Sequence, residues 1–284
     1  MENCRKGYSL NVGDRLVEFD RPVVMGVLNF TPDSFYAASR HSSSESIIAA
    51  AEKMIADGAD ILDIGAASSR PGATIIDAET ETARAVEAVG AVRQAFPSVL
   101  ISIDTFRADV AAKAVKAGAN IVNDISGGRA DKRMFSIVAD LHVPIIIQHS
   151  RGDSTTMQSL TDYDDVTADV ITSLSTSVDA AVDAGVTDII IDPGFGFAKT
   201  SAQSFELLNN LAALKVLGFP ILVGLSRKSM ICSTLSITPD DALNGTTVLN
   251  TIALANGADI LRVHDVKEAR QAVLLYLETI KSNK

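Results

Sequence analysis

The chain has 284 residues, 47% of them hydrophobic but only 5% aromatic, and a formal net charge of -10. That length exceeds an ordinary domain but suits one β/α barrel of about 250 residues, and a core of Val, Ile, Leu and Ala suits parallel strands buried on both faces. The acidic balance excludes nucleic acid as a partner, since phosphate backbones need clustered Lys and Arg, and no apolar run approaches the roughly 20 residues of a membrane span.

In chain order, residues 1–20 form an N-terminal extension in which Ser9–Phe19 alternates around Val12-Gly13-Asp14-Arg15. This pattern predicts a β-hairpin covering the N-terminal end of the structure that follows. From Pro22 onward, short β-branched runs alternate with Ala-rich helical patterns. Strands are predicted at Val23–Asn29, Ile61–Gly65, Leu100–Asp104, Ile121–Asp124, Pro144–His149, Ile189–Asp192, Ile221–Gly224 and Ile260–Val263. Helices are predicted at Ser46–Asp57, Glu79–Ala95, Ala108–Ala117, Tyr163–Ala184, Phe205–Leu217, Ala242–Asn256 and Asp265–Ile280. Four helices end at a glycine, Gly58, Gly118, Gly185 and Gly257, which reaches the left-handed conformation that stops a helix before the next strand. Such alternation implies parallel strands joined by helical crossovers. Eight units predict an α/β fold, a single (β/α)8 TIM barrel domain over residues 1–284. An open doubly wound sheet is the alternative.

Cys4 and Cys232 have no framework spacing and read as free thiols of a reducing compartment. The N-terminus lacks the apolar stretch of a signal peptide, so a cytoplasmic protein is expected. No Cys/His spacing suggests zinc. Barrel enzymes place their chemistry at the C-terminal ends of the strands. Here the apolar runs finish in Asn29, Asp63, Asp104, Asn123-Asp124, His149, Asp192, Lys228 after a short loop, and Arg262 with His264. A lone Asp after a strand commonly caps a helix. The whole set converging on one rim outweighs that reading. Asp104, Asn123, Asp192 and Lys228 make a cradle for a guanine-like edge, because carboxylates accept paired N–H bonds and a carboxamide both donates and accepts. Lys228, Arg262 and His264 add donors for an anion, and Leu225–Ser229 is expected to precede a helix whose free N–H groups attract a carboxylate or phosphate.

The sequence resembles the dihydropteroate synthase family over nearly its whole length. The matching strings are Met25-Gly-Val-Leu-Asn-Phe-Thr-Pro-Asp-Ser-Phe35, Asp63-Ile-Gly-Ala-Ala-Ser-Ser-Arg-Pro-Gly-Ala73, Ser102-Ile-Asp-Thr-Phe106, Asn123-Asp-Ile125, Asp192-Pro-Gly-Phe-Gly-Phe-Ala-Lys-Thr200, Ser226-Arg-Lys-Ser229 and Arg262-Val-His-Asp265. The resemblance implies condensation of a pterin diphosphate with 4-aminobenzoate in folate synthesis, a sulfonamide target and a homodimer with the last helices at its interface. It implies that Asp104, Asn123, Asp192 and Lys228 hydrogen-bond the pterin, with Phe197 packing nearby. Asn29 would help hold Mg²⁺ on the diphosphate, and Arg262 and His264 would bind that diphosphate. Ser229 would receive the aminobenzoate carboxylate, while Phe35, Ser69, Arg70 and Pro71 enclose the aminobenzoate and Asp33 assists. The catalytic set is then Lys228, Asp104, Arg262 and His264.

The chain departs from the family pattern at Ala66-Ala67 for Gly-Glu, Gln148 for a pterin-packing Met, Ala198 for Gly, and Gln203-Ser204 for His-Asn. Gln148 puts an amide against the ring edge. Two other readings remain: a pterin-binding methyltransferase domain, and a diverged, non-catalytic pterin binder. The Asn29–Asp33 and Ser68–Pro71 loops favour the synthase over the methyltransferase. His41 reads as a solvated loop residue, His142 as surface, His149 as a rim residue with a supporting role, and Tyr163-Asp164-Asp165 as the start of a helix.

Overall fold

A computed structural model describes residues 7–13, 15–30, 40–67, 76–153 and 155–281. Two antiparallel strands, β1 (Tyr8–Val12) and β2 (Arg15–Phe19), precede eight parallel ones. These are β3 (Val23–Asn29), β4 (Ile61–Gly65), β5 (Leu100–Asp104), β6 (Ile121–Asp124), β7 (Ile145–Gln148), β8 (Ile189–Asp192), β9 (Leu222–Val223) and β10 (Ile260–Val263). Their order is β8-β7-β6-β5-β4-β3-β10-β9, and a parallel bridge between Ile191 and Ile221 brings the two ends together into a nearly closed barrel. Helices α1 (Arg40–Ala56), α2 (Ala78–Ala95), α3 (Ala108–Ala117), α4 (Met134–Leu141), α5 (Val166–Asp183), α6 (Ser201–Asn209), α7 (Ser229–Leu235), α8 (Leu243–Ala255) and α9 (Val266–Lys281) surround it.

The period-two alternation of a strand sorts these runs onto two faces. Val24, Leu62, Ile101, Val122, Ile145, Ile189, Val223 and Leu261 face the helices and build the larger core. Their neighbours Val23, Met25, Ile61, Leu100, Ile121, Ile146, Ile190, Leu222 and Ile260 fill the lumen as one apolar floor. Leu10 and Val12 of the hairpin join that floor, as expected of an element that plugs the N-terminal end. Burial of each such side chain contributes about 1.5–3 kcal/mol. The plug is held further by Asn11 N donating to Asp188 Oδ1 at 2.8 Å.

The four helix-ending glycines have φ of 101°, 121°, 94° and 99°, as the sequence predicts. Other expectations need correction. The Ser-rich stretch containing His41 belongs to α1, which starts at Arg40, and Ser44 Oγ ties its first turns to Glu87 of α2 at 3.0 Å. Helix α5 begins only at Val166, because Asp165 caps it by accepting from the amides of Thr167 and Ala168, both at 2.9 Å. Tyr163 therefore precedes the helix and lies beneath the Arg151 guanidinium, 3.7 Å from its ring centre. The helix expected at Phe205–Leu217 is two elements, α6 and a 3-10 stretch at Leu211–Leu217, separated at Asn210. Thr200 and Gln203 start α6 with reciprocal side-chain to backbone bonds at 3.2 and 2.9 Å. Helix α4 has no counterpart in the sequence reading: it has no side-chain cap and ends at His142 in the left-handed region, φ 52°, without a glycine. Strands β7 and β9 are shorter than predicted, losing Pro144, His149, Ile221 and Gly224.

Candidate active site in the barrel mouth

Counting on by twos from the apolar floor reaches the polar layer above it. Met25 leads to Asn29, Ile61 to Asp63, Leu100 to Asp104, Ile121 to Asn123, Ile146 to Gln148, Ile190 to Asp192 and Ile260 to Arg262. Strand register aligns them: Asn29 pairs with Gly65, Gly65 with Asp104, Asp104 with Asn123, and Gln148 with Asp192. Gly65 has a local steric reason. A Cβ there would lie 3.1 Å from Asn29 Oδ1 and 4.0 Å from Asp104 Cβ, so the glycine leaves room between them.

Arg262 organises the layer. Its Nε donates to Asp63 Oδ2 at 2.7 Å and its Nη2 to Asp104 Oδ2 at 2.8 Å. Asp63 Oδ2 also accepts Asn123 Nδ2 at 3.1 Å. Asp63, fully buried, is thus the hub that joins two predicted ligand-binding residues. Sequence alone puts Asp63 at a strand end without a role, and its even spacing from Ile61 is the signal that it faces the mouth. Burial disfavours the charge of Arg262, but Asp63 and Asp104 outweigh this and hold its pKa above the ordinary value. Burial raises the pKa of Asp104, with Arg262 pulling the other way, and burial likewise raises that of Asp192 against Lys228.

Lys228 enters from the loop after β9. Arg227, at φ 57°, turns outward to Asp265 with bonds of 3.0 and 2.7 Å, which leaves the next side chain facing the mouth. Lys228 Nζ donates to Phe195 O and lies 4.5 Å from the Phe197 ring centre. Burial lowers its pKa to about 8, opposed by Asp192 and assisted by Arg262. Ser229 starts α7 and is exposed. His264 is exposed, with Nδ1 3.0 Å from the buried Ser226 Oγ.

A second buried pair supports the loop after β8. Lys199 Nζ lies 2.8 Å from His149 Nδ1 and donates to Gly194 O at 3.0 Å and Phe197 O at 3.2 Å. Burial lowers the Lys199 pKa to about 7, and burial together with Lys199 lowers that of His149 to about 2. Gly194 has φ 67°, and a Cβ there would sit 1.9 Å from His149 O, so only glycine fits. His149 is therefore a buried brace, in keeping with a supporting role, and Lys199, which sequence reasoning missed, is its partner. Ala198 adopts φ 50° where the family pattern has glycine.

The structure brings Asp63, Asp104, Asn123, Asp192, Lys228 and Arg262 into one mouth, with Asn29, Phe197, Ser229 and His264 at its edge. Asp33, Phe35, Ser69, Arg70 and Pro71 lie outside the described residues, as does Cys4; Cys232 is a free thiol. Among the described residues, four buried polar atoms of the lumen strands have no hydrogen-bond partner: Asp63 Oδ1, Ser102 Oγ, Asn123 Oδ1 and Gln148 Nε2. Orphaned atoms at such density mark a place completed by ligand or water.

A family model described as pterin binding enzyme matches residues 25–264. Dihydropteroate synthase from Synechocystis is 45% identical over 266 residues, covering 92% of each chain. Dihydropteroate synthase from Xanthomonas albilineans, solved with 4-aminobenzoic acid, superposes with a TM-score of 0.89 at 36% identity, covering 96% of this chain and 98% of that one. The Yersinia pestis enzyme, solved in a sulfonamide drug complex, gives 0.89 at 35% identity over 98% and 100% of the two chains. The chain belongs to the pterin-binding enzyme family, among the dihydropteroate synthases.

Proposed function

We infer that the protein condenses 6-hydroxymethyl-7,8-dihydropterin diphosphate with 4-aminobenzoate to give 7,8-dihydropteroate and diphosphate, and that the barrel mouth carries out this step in folate synthesis. The observation that carries the site assignment is the convergence of buried Asp104, Asn123 and Asp192 with half-buried Lys228 and Arg262 in one mouth. Asp104 and Asp192 accept the N–H edge of the pterin, Asn123 offers its free Oδ1, and Lys228 donates to ring acceptors while Phe197 packs nearby. Arg262 spends Nε and Nη2 on carboxylates and keeps Nη1 for the diphosphate, which His264 also contacts. Ser229 hydrogen-bonds the aminobenzoate carboxylate. The resemblance assigns Phe35, Ser69, Arg70 and Pro71 to the enclosure of the same substrate.

In the reaction the bond between the pterin methylene carbon and the diphosphate oxygen breaks, and its electron pair leaves with the diphosphate. The carbon becomes a cation stabilised by the pterin ring, and the amine nitrogen of 4-aminobenzoate attacks it. That nitrogen then loses its proton to solvent or to the departing diphosphate. An aromatic amine is already neutral at pH 7, so no strongly basic side chain is required. Arg262 and His264 neutralise charge as it grows on the leaving group. Exclusion of water by the mouth protects the cation from capture.

Mg²⁺ fits this mouth through the chemistry of its donors. Asn29 presents a hard oxygen toward the space that Gly65 leaves open, and Mg²⁺ is commonly held by one or two protein oxygens together with substrate phosphates. Bound there, Mg²⁺ would offset negative charge on the leaving diphosphate. The homodimer reading is supported by apolar side chains exposed on the last two helices, Val248 and Ile252 on α8 and Leu274 and Leu275 on α9. No described helix is long and apolar enough to cross a membrane; a cytoplasmic location remains our proposal. The test of the function is to mix the protein with pterin diphosphate, Mg²⁺ and 4-aminobenzoate and measure dihydropteroate and diphosphate. Equal yields of the two are expected; binding of pterin without turnover would overturn the reading.

A further inference from the structure

Gln148 stands in the lumen, two residues above the floor residue Ile146 and in register with Asp192. It is only 5% exposed, and its Nε2 is buried with no hydrogen-bond partner among the described residues. Its Cγ passes 3.4 Å from the position a Cβ would take on Gly194, so the chain lies over the tight turn that follows Asp192. An unpaired buried amide is costly for the protein alone, and a donor inside a polar pocket calls for an acceptor. The neighbouring carboxylates do not supply one: among the described residues no acceptor lies within hydrogen-bond distance of Nε2.

We propose that Gln148 is a specificity-determining residue of the heterocycle pocket, its Nε2 donating a hydrogen bond to an acceptor of the bound ring, a carbonyl oxygen or an unprotonated ring nitrogen. This rests on the pterin reading above and deepens it. Asp104 and Asp192 can only accept when ionised, so they select the N–H edges of the ring. Gln148 selects the complementary feature. A ligand that lacks an acceptor at that edge leaves the amide unpaired and is rejected. Where the family pattern has an apolar Met, this pocket thus reads one more polar position of its substrate.

The test is Gln148→Met, which keeps side-chain length and removes the donor. Two measurements are made on the full chain: titration calorimetry with 6-hydroxymethylpterin, and steady-state KM for each substrate. The proposal expects Kd for the pterin and KM for the pterin diphosphate to rise on the order of tenfold, with KM for 4-aminobenzoate unchanged. It also expects the melting temperature to hold or rise, since an unpaired amide has been replaced by an apolar group. A packing role alone predicts binding within twofold of wild type or tighter, and that result overturns the proposal. Wild-type turnover with an unaltered Gln148→Met pterin affinity sinks only this inference. Absence of both turnover and pterin binding in the wild type sinks the functional reading with it.

Discussion

Asp63→Ala tests whether the mouth is organised by a residue that need not touch the substrate. In the wild type, Asp63 Oδ2 receives Arg262 Nε at 2.7 Å and Asn123 Nδ2 at 3.1 Å. An alanine removes that oxygen. Arg262 Nε and Asn123 Nδ2 then lose the acceptor they share. The charge-assisted bond to Arg262 is worth about 1.5–3 kcal/mol, and breaking a well-buried ion pair costs about 3–5. The Arg262 side chain is 22% exposed and keeps Asp104 as a partner, so the lower end applies. We expect a stability loss of about 3 kcal/mol in urea denaturation. Displacing Arg262 and Asn123 together should lower kcat/KM for the pterin diphosphate about 100-fold, equivalent to about 2.7 kcal/mol. KM for 4-aminobenzoate should move less than threefold, because its proposed contacts lie elsewhere. A variant that loses stability but keeps kcat/KM within twofold would refute the positioning role.

Lys228→Ala should abolish dihydropteroate formation while circular dichroism shows an intact fold; a fully active variant refutes the site assignment. Because burial lowers Lys228 to about 8, its charge is lost as pH rises through that value, so kcat/KM for the pterin diphosphate should fall above about pH 8 and Lys228→Arg should move that limb upward. Lys199→Met should raise KM for the pterin diphosphate about tenfold and speed amide hydrogen exchange over residues 194–198, since three contacts of Nζ are removed. His149 has a folded pKa of about 2 against an ordinary value of 6.5, so below pH 6.5 the unfolded chain takes a proton the folded one refuses. Its stabilising effect, complete above pH 6.5, is lost at about 1.4 kcal/mol per unit as pH falls toward 2, and His149→Gln should flatten that dependence in urea melts at pH 4–7. Leu275 is 69% exposed on α9, and Leu275→Glu should convert a dimer to a monomer in light scattering without lowering the melting temperature; a monomeric wild type ends the dimer reading.

Much of this molecule is legible in one dimension because its signals are local. Val23–Asn29 and Ile61–Gly65 are strands with unchanged limits, since apolar runs that follow a turn residue, Pro22 for one and Gly58 for the other, specify themselves. The alternation of two per strand likewise sends Asp104, Asn123, Asp192 and Arg262 to the same face as the apolar floor, so the polar rim follows from spacing. Helix α4 was missed because nothing in Met134–Leu141 punctuates it; packing against the barrel holds it. What the linear text cannot state is who pairs with whom. Arg262 meets Asp63 across 199 positions and Asp104 across 158, and only closure of the barrel at β10 and β3 makes those distances short. Tertiary packing also turns Arg227 out and Lys228 in, buries Lys199 against His149, and leaves the Gln148 amide without a partner among the described residues. Local propensity and periodicity determine which residues line the mouth. Long-range burial, which sets ion pairs and proton affinities, decides what those residues can do there.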